Sequence, residues 1–369
     1  MSASGDDDRL AGIRRRIDAI DEQLQQLISE RARLALEVGA TKYPEPVGLS
    51  RTPRDYYRPE REAEILRLAV ARNQGPLKDA EIVRLFREIM SACLAQQEPM
   101  KVAFLGPEGT FSQAAVLKQF GHSVRTLAVP SIEEVFHDVE AGVADFGVVP
   151  VENSTEGTVG TTLDMLMNTP LHISGEVELR IRQHLLGRMT GLEGVARVYS
   201  HQQSLAQCRA WLDQRLPGVE RVVVASNATA ARLAAEEAGA AAIAGDTAAE
   251  VYGLGILMAN IEDRPDNTTR FLVIGRERPG PSGRDKTSLL LSSRHHAGAL
   301  QELLHPLSRH EVSMTRIESR PSRRRKWDYV FFVDIEGHYA DANVAAALVE
   351  LEQAAAWLRV LGSYPVAIL

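Results

Sequence analysis

The chain has 369 residues, 44% of them apolar and 25% charged, which is typical of a globular protein with two or three domains. Its net charge of -7 gives no reason to expect a nucleic acid as partner. Cys93 and Cys208 lie far apart, so neither a disulfide framework nor a metal site is indicated. No apolar run reaches membrane-spanning length, and the first residues carry no export signal. We therefore expect a cytoplasmic protein without membrane contact.

The first segment is predicted to be a long helix with one apolar stripe, formed by positions 10, 13, 17, 20, 24, 27, 34 and 38. Arg31 occupies the missing place in that stripe, and Lys42 follows on the same face about 16 Å further along the axis. A charge on a buried stripe is costly unless it is paired. The two side chains are therefore predicted to hold one small anion.

Arg14 flanks the same stripe, but it lies about 25 Å from Arg31 along the helix axis. It cannot reach the same small ligand from its own helix. If Arg14 serves such a site, it serves the site of a second copy, which predicts a homodimer, or a larger homo-oligomer, with exchanged helices. A helix of this length also needs another surface to cover its stripe.

A Pro-rich connection from Tyr43 to Pro59 leads to two further predicted helices, one around Glu60–Asn73 and one from about Lys78. The apolar stripe of the last helix ends on the polar Gln97. An alternative is that the polar residues only mark the solvent-exposed edges of a helical bundle. The third helix carries its stripe on Ile82, Leu85, Phe86, Ile89 and Cys93.

Three segments in order, Ile13–Lys42, Arg58-Pro-Glu-Arg-Glu62 and Arg84–Gln97, resemble the all-helical chorismate mutases. A pericyclic rearrangement needs a compact substrate conformer and fixed donors near the ether oxygen, and no nucleophile. Arg58 departs from the family, which often has an acid there, and Cys93 stands where it often has Ser. The resemblance implies that the dicarboxylate chorismate is bound by Arg14 of the other subunit, Arg31, Lys42 and Arg61, that Cys93 faces it, and that Lys42, Glu62 and Gln97 surround its hydroxyl and ether oxygen.

Alternating strands and helices follow from Lys101, which predicts an α/β domain with parallel sheets. The extended, charged segment Leu171–Leu186 is predicted to cross between two lobes. Gly106-Pro-Glu-Gly109 lacks the G-x-G-x-x-G spacing, so a nicotinamide site is not predicted. The predicted strands are 101–106, 124–129, 145–151, 196–200, 221–225, 241–244 and 271–275.

Polar clusters recur where these strands end or begin, at 152–155, 200–204, 226–229 and 267–270. In open α/β sheets such ends carry ligands, because backbone N–H groups and helix N-termini face the crevice. Each cluster alone is also compatible with an ordinary strand-to-helix turn, and His201 alone is more typical of a helix-start surface residue. Arg270 precedes an apolar strand, where its guanidinium can clamp a carboxylate.

Four motifs resemble prephenate dehydratase: Gly-Pro-Glu-Gly-Thr-Phe-Ser from Gly106, Val-Pro-Val-Glu-Asn-Ser-Thr-Glu-Gly from Val149, Ser-His-x-Gln-Ser-Leu-x-Gln-Cys from Ser200, and Thr-Arg-Phe from Thr269. The resemblance implies two lobes of periplasmic-binding-protein type with the site between them. It implies that Thr269 acts on the leaving hydroxyl as carbon dioxide departs, and that Arg270 binds a carboxylate. It further implies a pocket lined by Thr110, Asn153, Ser154 and Ser200. Since the reaction forms an aromatic ring, a dry cleft that stabilises the departing hydroxide suffices, and no metal or cofactor is expected.

The last segment has the element order βαββαβ, which predicts a ferredoxin-like domain. The basic run Arg320–Lys326 falls in its hairpin, where a solvated turn is expected rather than a nucleic-acid site. Gly298-Ala-Leu and Glu318-Ser-Arg-Pro resemble phenylalanine-responsive ACT domains. The resemblance implies that phenylalanine is bound between subunits by Gly298, Ala299, Leu300, Glu318, Ser319 and Arg320.

The predicted fold class is therefore α + α/β + α+β, with a helical domain at 8–98, a two-lobed domain at 101–278 and a βαββαβ domain at 286–369. The resemblance covers nearly the whole chain and implies a bifunctional chorismate mutase and prephenate dehydratase inhibited by phenylalanine. The alternative is a non-catalytic, phenylalanine-responsive binding protein on the same scaffold. An exported solute-binding protein is a weaker alternative, because no export signal is present.

Overall fold

The computed structural model describes residues 3–42, 57–294, 296–321 and 329–368, with the backbone alone for residues 3–6. Most of the predicted Pro-rich connection (43–56) and most of the basic run (322–326) lie outside the described residues, as does Trp327, the predicted start of a strand. Within the described ranges, no helix is both long enough and apolar enough to cross a bilayer.

Among its described residues, the N-terminal module has three helices: α1 (Ala3–Lys42), α2 (Pro59–Ala71) and α3 (Asp79–Ala95). α2 and α3 pack together through Leu66, Val83 and Met90. The large apolar side chains that α1 carries between Leu10 and Val38 are 42–61% exposed within one chain. One protomer therefore leaves the predicted stripe of α1 largely uncovered.

The prediction of the buried face of α3 was only partly right. Leu85 and Phe86 are exposed, whereas Val83, Arg87 and Met90 are buried. This face turns inward because α3 packs on α2 and on the loop that follows the first helix of the central domain, where Ser123 N donates to the Ser91 hydroxyl. The sequence pattern shows apolar residues on both faces of this helix, but it does not tell which face is buried.

The first lobe of the central domain contains β1 to β5 and α4 to α6. Its central strands are buried, and α5 and α6 cover one face of the sheet through a core that includes Phe136 and Leu163. The elements are β1 (Lys101–Leu105), α4 (Phe111–Phe120), β2 (Arg125–Val129), α5 (Ile132–Glu140), β3 (Phe146–Asn153), β4 (Gly157–Thr158), α6 (Gly160–Leu166) and β5 (His172–Arg180).

The chain crosses to the second lobe at 181–183 and returns at 259–267 into β11 (Thr268–Gly275). The crossover predicted within Leu171–Leu186 is therefore confirmed. Only residues 181–183 form the crossing itself, and a strand lies on either side of them. The second lobe contains β6 (His184–Gly187), β7 (Arg197–Ser200), α7 (Gln202–Gln207), α8 (Arg209–Arg215), β8 (Glu220–Val223), α9 (Asn227–Glu236), β9 (Ala240–Ala244), α10 (Asp246–Tyr252) and β10 (Gly255–Met258).

Both sheets are mixed: the predicted parallel pairing is confirmed for β1 with β2 and β3 and for β7 with β8 and β9, but not for β11 and β6. The first has the order β2-β1-β3-β11-β5 and the second β10-β6-β9-β7-β8. β11 runs antiparallel to β3 and β5, and β6 runs antiparallel to β9 and β10. The reason is the double crossover: β3 ends at the cleft, and the returning chain enters the first lobe from that same cleft, so β11 starts where β3 ends.

The C-terminal domain confirms the predicted βαββαβ order, with an antiparallel sheet of order β13-β14-β12-β15. Its two helices cover one face of this sheet. The other face shares a core with the first lobe, where Tyr364 and Phe332 meet Leu272 and Ile173. The elements are β12 (Asp285–Ser292), α11 (Ala299–Arg309), β13 (Met314–Pro321), β14 (Tyr329–Glu336), α12 (Ala342–Ala354) and β15 (Trp357–Pro365).

Candidate active sites

The cleft between the two lobes has a volume of about 360 Å³ and opens into a neighbouring pocket of about 600 Å³. Both strand ends and helix starts contribute to it, as expected where an open α/β sheet binds a ligand. No Lys or Arg occurs in the described lining of the cleft. Its polar residues are Thr110, Ser112, Asn153, Glu156, Thr158, Gln183, His201, Gln203, Ser204, Gln207, Ser226, Asn227, Asn267 and Thr269.

Thr269 lies near the start of β11, is 8% exposed and faces this cleft. Strand alternation sends Thr268 and Arg270 to the opposite face, while Thr269 and Phe271 line the cleft. Thr268 therefore points away from the crevice. In the sheet, Thr269 stands directly opposite Asn153 at the end of β3.

Asn153 fixes the hydroxyl of Thr269. Its Oδ1 accepts hydrogen bonds from the backbone N–H groups of Thr155 (2.9 Å) and Glu156 (3.1 Å), a turn that defines which side-chain atom is the oxygen. Its Nδ2 donates to Thr269 Oγ1 and to Asn267 Oδ1, both at 2.8 Å. Thr269 Oγ1 is thus an acceptor on this side, and its own hydrogen is free to be donated into the cleft.

A network of neutral amides forms the floor of the cleft and joins both crossovers to the second lobe. Gln183 Nε2 donates to the Ser204 hydroxyl (3.1 Å) and to Gln207 Oε1 (3.3 Å). Asn227 Nδ2 donates to Ser204 (2.8 Å), and Asn267 Nδ2 donates to Gln207 Oε1 (3.3 Å). Gln207 Nε2 is buried and has no hydrogen-bond partner within the described residues.

Four helices begin at the cleft. The residues immediately before α4, α6, α7 and α9 all line it: Thr110, Val159, His201 and Ser226. The first N–H groups of a helix lack intrahelical partners and carry a partial positive charge, which favours anions. The cleft therefore suits a ligand with carboxylates although its described lining has no cationic side chain.

Of the residues predicted for this pocket, the structure brings Thr110, Asn153 and Thr269 together. Ser154, which is exposed, and Ser200, which is buried, are not among the lining residues. The Ser154 hydroxyl accepts from Thr268 N (3.0 Å) and so fixes the start of β11. Ser200 is fully buried and hydrogen-bonds to Asn227 Oδ1 (3.1 Å).

Arg270 does not enter the cleft, contrary to its predicted place in the pocket. Residue 270 falls on the face of β11 against which the C-terminal domain packs. Its guanidinium donates to Glu176 (2.8 Å), Asp334 (2.7 Å) and the Tyr364 hydroxyl (3.1 Å). Burial lowers the pKa of Arg270, but these three neighbours outweigh it and hold the pKa above its ordinary value.

Several lining residues were not predicted. The polar clusters at 200–204, 226–229 and 267–270 did point to His201, Asn227 and Asn267 as a group. Gln207 belongs to the quoted motif that starts at Ser200, although it was not predicted to line the pocket. Gln183 gave no such signal, because it lies in a crossover. His201 Nδ1 accepts from Gln203 N (3.4 Å), so it caps α7 as well as lining the cleft.

In the helical module, one chain does not assemble the predicted mutase residues. Arg31 is half-buried, and Arg14 and Lys42 are exposed on α1. Gln97 does meet α1, because its Nε2 donates to the carbonyl of Ala35 (3.0 Å), while its buried Oε1 has no partner among the described residues. Cys93 is buried on α3.

Arg61 and Glu62 point away from each other. Arg61 is exposed and pairs with Glu64. The side chain of Glu62 is 10% exposed and lies 3.4 Å from Arg87 at the junction with the central domain. Burial raises the pKa of Glu62, although Arg87 acts in the opposite direction.

The predicted phenylalanine-binding residues lie at two places in the C-terminal domain. Gly298 precedes α11 with a φ of +86°, a conformation that favours glycine, and Ala299 and Leu300 form the first turn. Glu318 and Ser319 belong to the edge strand β13, as does Arg320, which pairs with Asp164 of the first lobe (2.9 Å). Within one chain, the described residues show no hydrogen bond between these two places.

Family models match all three parts of the chain: chorismate mutase type II at residues 13–98, prephenate dehydratase at 102–279 and the ACT domain at 287–353. The bifunctional chorismate mutase/prephenate dehydratase of Pseudomonas aeruginosa is 53% identical and covers 99% of this chain and 100% of its own. No group of three or more His, Cys, Asp or Glu that could hold a metal ion occurs among the described residues.

Two solved structures are each similar to 72% of the chain. Prephenate dehydratase from Arthrobacter aurescens, in complex with L-Phe, has a TM-score of 0.66 and 35% identity over 72% of this chain and 90% of its own. GqqA, described as a novel type of quorum-quenching acylase, has a TM-score of 0.67 and 32% identity over 72% of this chain and 98% of its own. The match over the full length, including the helical module, decides the assignment: the chain belongs to the family of bifunctional chorismate mutase/prephenate dehydratases and has both activities.

Proposed function

We propose that the cleft between the lobes is the dehydratase site and that Thr269 acts on the hydroxyl that prephenate loses. The observation that carries this is the hydrogen bond from Asn153 Nδ2 to Thr269 Oγ1, which leaves the hydroxyl hydrogen of Thr269 free to be donated into the cleft. A preorganised donor of this kind stabilises charge that develops on a leaving oxygen.

In the proposed reaction, the electrons of the bond between the ring and its carboxylate move into the ring, and carbon dioxide leaves. The ring carbon–oxygen bond breaks on the opposite side, and the ring becomes aromatic. The departing hydroxide accepts a hydrogen bond from the Thr269 hydroxyl, takes its proton from solvent and leaves as water, so Thr269 keeps its own proton. The helix starts at Thr110, His201 and Ser226 supply the N–H groups for the carboxylates of prephenate.

For the mutase, we propose a site that is completed by a second copy of the chain. Arg31, Lys42 and Gln97 lie on or against α1, whereas the apolar stripe of α1 and Leu85 and Phe86 of α3 are exposed in one protomer. A homodimer that pairs two α1 helices covers these surfaces and brings the partner copy of Arg14 to the site. Arg61, Glu62 and Cys93 remain proposed members, which requires that Glu62 turns from the junction towards α1.

We also propose that phenylalanine inhibits the enzyme by binding to the C-terminal domain between subunits. Gly298 offers a helix start without a Cβ, which suits a carboxylate, and β13 offers an unpaired sheet edge to a second copy. Arg320 remains part of this proposal only if it can leave Asp164. We place the enzyme in the cytoplasm, with module boundaries at 8–98, 101–278 and 286–369.

Phenylpyruvate formation from chorismate, measured with and without phenylalanine, tests the whole proposal. We expect chorismate to be consumed and phenylpyruvate to appear, with phenylalanine suppressing the second step. Formation of prephenate alone would contradict the proposed dehydratase site. Unchanged rates at saturating phenylalanine would contradict the proposed inhibition. Sedimentation at several protein concentrations tests the homodimer.

A further inference from the structure

A buried cluster of charges joins the C-terminal domain to the back of β11. Arg270 bridges Glu176 of the first lobe and Asp334 of β14, with side chains that are 13%, 1% and 8% exposed. Lys286 of β12 adds a second cation 2.8 Å from Glu176. The Ser288 hydroxyl donates to Asp334 Oδ1 (2.6 Å). Every member therefore has a partner of opposite charge or a hydrogen bond.

A second ion pair lies beside this cluster. Arg316 of β13 donates to Glu152 of β3 (2.8 Å) and to the Thr158 hydroxyl (3.2 Å). Glu152 stands opposite Arg270 in the sheet of the first lobe, and Arg316 stands opposite Asp334 in the C-terminal sheet. Two cross-strand pairs of opposite charge thus face each other, and each residue of one pair binds one residue of the other.

We call these four residues, Glu152, Arg270, Arg316 and Asp334, the four-charge clamp. Two of them are chain neighbours of residues that line the cleft. Glu152 is the chain neighbour of Asn153, and Arg270 is the chain neighbour of Thr269. Asn153 and Thr269 also stand opposite each other, one register position further along. The clamp therefore holds the backbone on both sides of the Asn153–Thr269 hydrogen bond, from the face opposite to the cleft.

We propose that Asp334 and Arg316 are positioning residues for the dehydratase reaction, so that the C-terminal domain forms part of the support of the active site. This inference rests on the proposed role of Thr269 in the cleft. Buried ion pairs contribute little net stability, because desolvation offsets their attraction, but removal of one partner leaves the other uncompensated. Loss of Asp334 or Arg316 therefore shifts the strand at Arg270 or Glu152, and with it the hydroxyl of Thr269.

The test compares the turnover and the Michaelis constant of Arg316→Gln and Asp334→Asn. We expect the dehydratase kcat to fall by about tenfold or more, since small misplacements of a reacting group cost that much. The KM for prephenate should change much less, because the helix starts that hold its carboxylates are untouched. Mutase activity, measured in the same samples, should stay at the wild-type level, and Arg316→Lys should restore much of the lost kcat.

Asp164→Asn provides a matched control. It removes an ion pair of similar length, Arg320–Asp164, which ties the same strand β13 to α6 instead of to β3 or β11. We expect a wild-type dehydratase kcat for this variant. An equal loss of kcat in Asp164→Asn would overturn the inference, because any weakened domain contact would then suffice.

Unchanged kcat in both Arg316→Gln and Asp334→Asn would also overturn it. If Asp334→Asn does not fold, Arg316→Gln and Glu152→Gln decide the matter, since Glu152 is 40% exposed and Arg316 keeps a second carboxylate, Glu318, at 3.9 Å when Glu152 is replaced. Thr269→Ala distinguishes a failure of the proposed cleft chemistry from a failure of the positioning role. Full activity of Thr269→Ala contradicts the proposed cleft chemistry, whereas loss there with normal Arg316→Gln and Asp334→Asn contradicts the positioning role alone.

Discussion

At the scale of the residue, the role of Thr269 follows from its acceptor partner. Because Asn153 Nδ2 donates to Thr269 Oγ1, the hydroxyl hydrogen of Thr269 is free to be donated into the cleft. No other described group donates to this oxygen. The neighbouring Thr268 has the same side chain on the other face of the strand, so the chain contains its own control.

We predict that Thr269→Ala lowers dehydratase turnover by about 10²-fold or more while mutase activity stays unchanged. Thr269→Ser should retain much more activity, since the argument depends on the hydroxyl and not on the methyl group. Steady-state kinetics with prephenate checks this. Equal damage from Thr268→Ala would indicate a packing role for this strand instead.

Glu62 gives a prediction about pH. Burial raises its pKa in the folded protein above the ordinary value of 4.5. The folded state therefore binds more protons than the unfolded state above that pH, and this group's contribution to stability is present below it and is lost as the pH rises. Glu62→Gln removes the dependence, so its stability relative to wild type should increase with pH, by at most about 1.4 kcal/mol per pH unit.

Thermal unfolding of both proteins at a series of pH values from about 4 to about 8 measures this difference. The stability of the variant relative to that of the wild type should increase as the pH rises. If the difference in stability between the two proteins did not change with pH, the pKa of Glu62 would not be raised by burial.

At the scale of the element, α1 is the clearest case of a helix whose apolar face is not covered within one chain. It has 40 residues, contacts α3 of its own chain, and exposes its apolar stripe. Isolated helices draw little stability from propensity alone, so such a stripe needs a partner surface. The positions of Arg14 and Arg31, far apart on one helix, fit a site that draws on two copies.

We predict that Arg14→Ala and Arg31→Ala complement each other in mixed dimers. Each variant alone lacks one residue at every mutase site, whereas a mixed dimer has one intact and one doubly damaged site. Co-refolding equal amounts should restore roughly a quarter of wild-type mutase activity, since about half of the dimers are mixed. Dehydratase activity, measured in the same samples, should be unaffected throughout.

Mass spectrometry of tagged subunits establishes that mixed dimers have formed. Proven mixed dimers without any recovered mutase activity would contradict the exchange of α1 helices. Normal mutase activity of Arg31→Ala alone would contradict the anion site on this helix.

At the scale of the whole molecule, the C-terminal sheet is a layer shared between two domains. One face is covered by α11 and α12, and the other packs against the first lobe, where Gly362 approaches the backbone of Ile173 so closely that a Cβ would collide with it. A ligand bound to this domain can inhibit only if it favours one arrangement of the layers over another. Because the C-terminal domain and the first lobe share this core, a change in the arrangement of the layers can alter the cleft.

We predict that Gly298→Val abolishes phenylalanine binding and leaves an active dehydratase that phenylalanine does not inhibit. The added side chain occupies the start of α11, where the carboxylate is proposed to bind. Because valine at a positive φ also strains the backbone, Gly218→Val, with a φ of +80° in the second lobe, is the matched control. Calorimetry with phenylalanine measures both variants.

Gly218→Val should retain phenylalanine affinity and inhibition. Normal affinity and normal inhibition in Gly298→Val would place the phenylalanine site elsewhere. A tenfold preference for one arrangement corresponds to about 1.4 kcal/mol, which the burial of one aromatic ring can supply.

Periodicity and motif order in the sequence determined the three modules, the bounds of α2 and the start of α3 to within a few residues, the βαββαβ order and the polar clusters at the cleft. These are local properties: the repeat of apolar residues sets helix or strand, and a strand end followed by a capping residue sets the position of Thr110, Asn153 and His201. The orientation of Thr269 against Thr268 also follows from local alternation.

The tertiary structure alone decided which face of each element is covered, and by what. Arg270 looked like a clamp for a substrate carboxylate, yet its face of β11 meets Glu176 and Asp334, which are distant in the chain. Glu62 likewise turns to Arg87 at a domain junction. A sequence records that a charged side chain needs a partner of opposite charge, but not whether that partner is a ligand or another part of the same chain, because the choice depends on how domains pack.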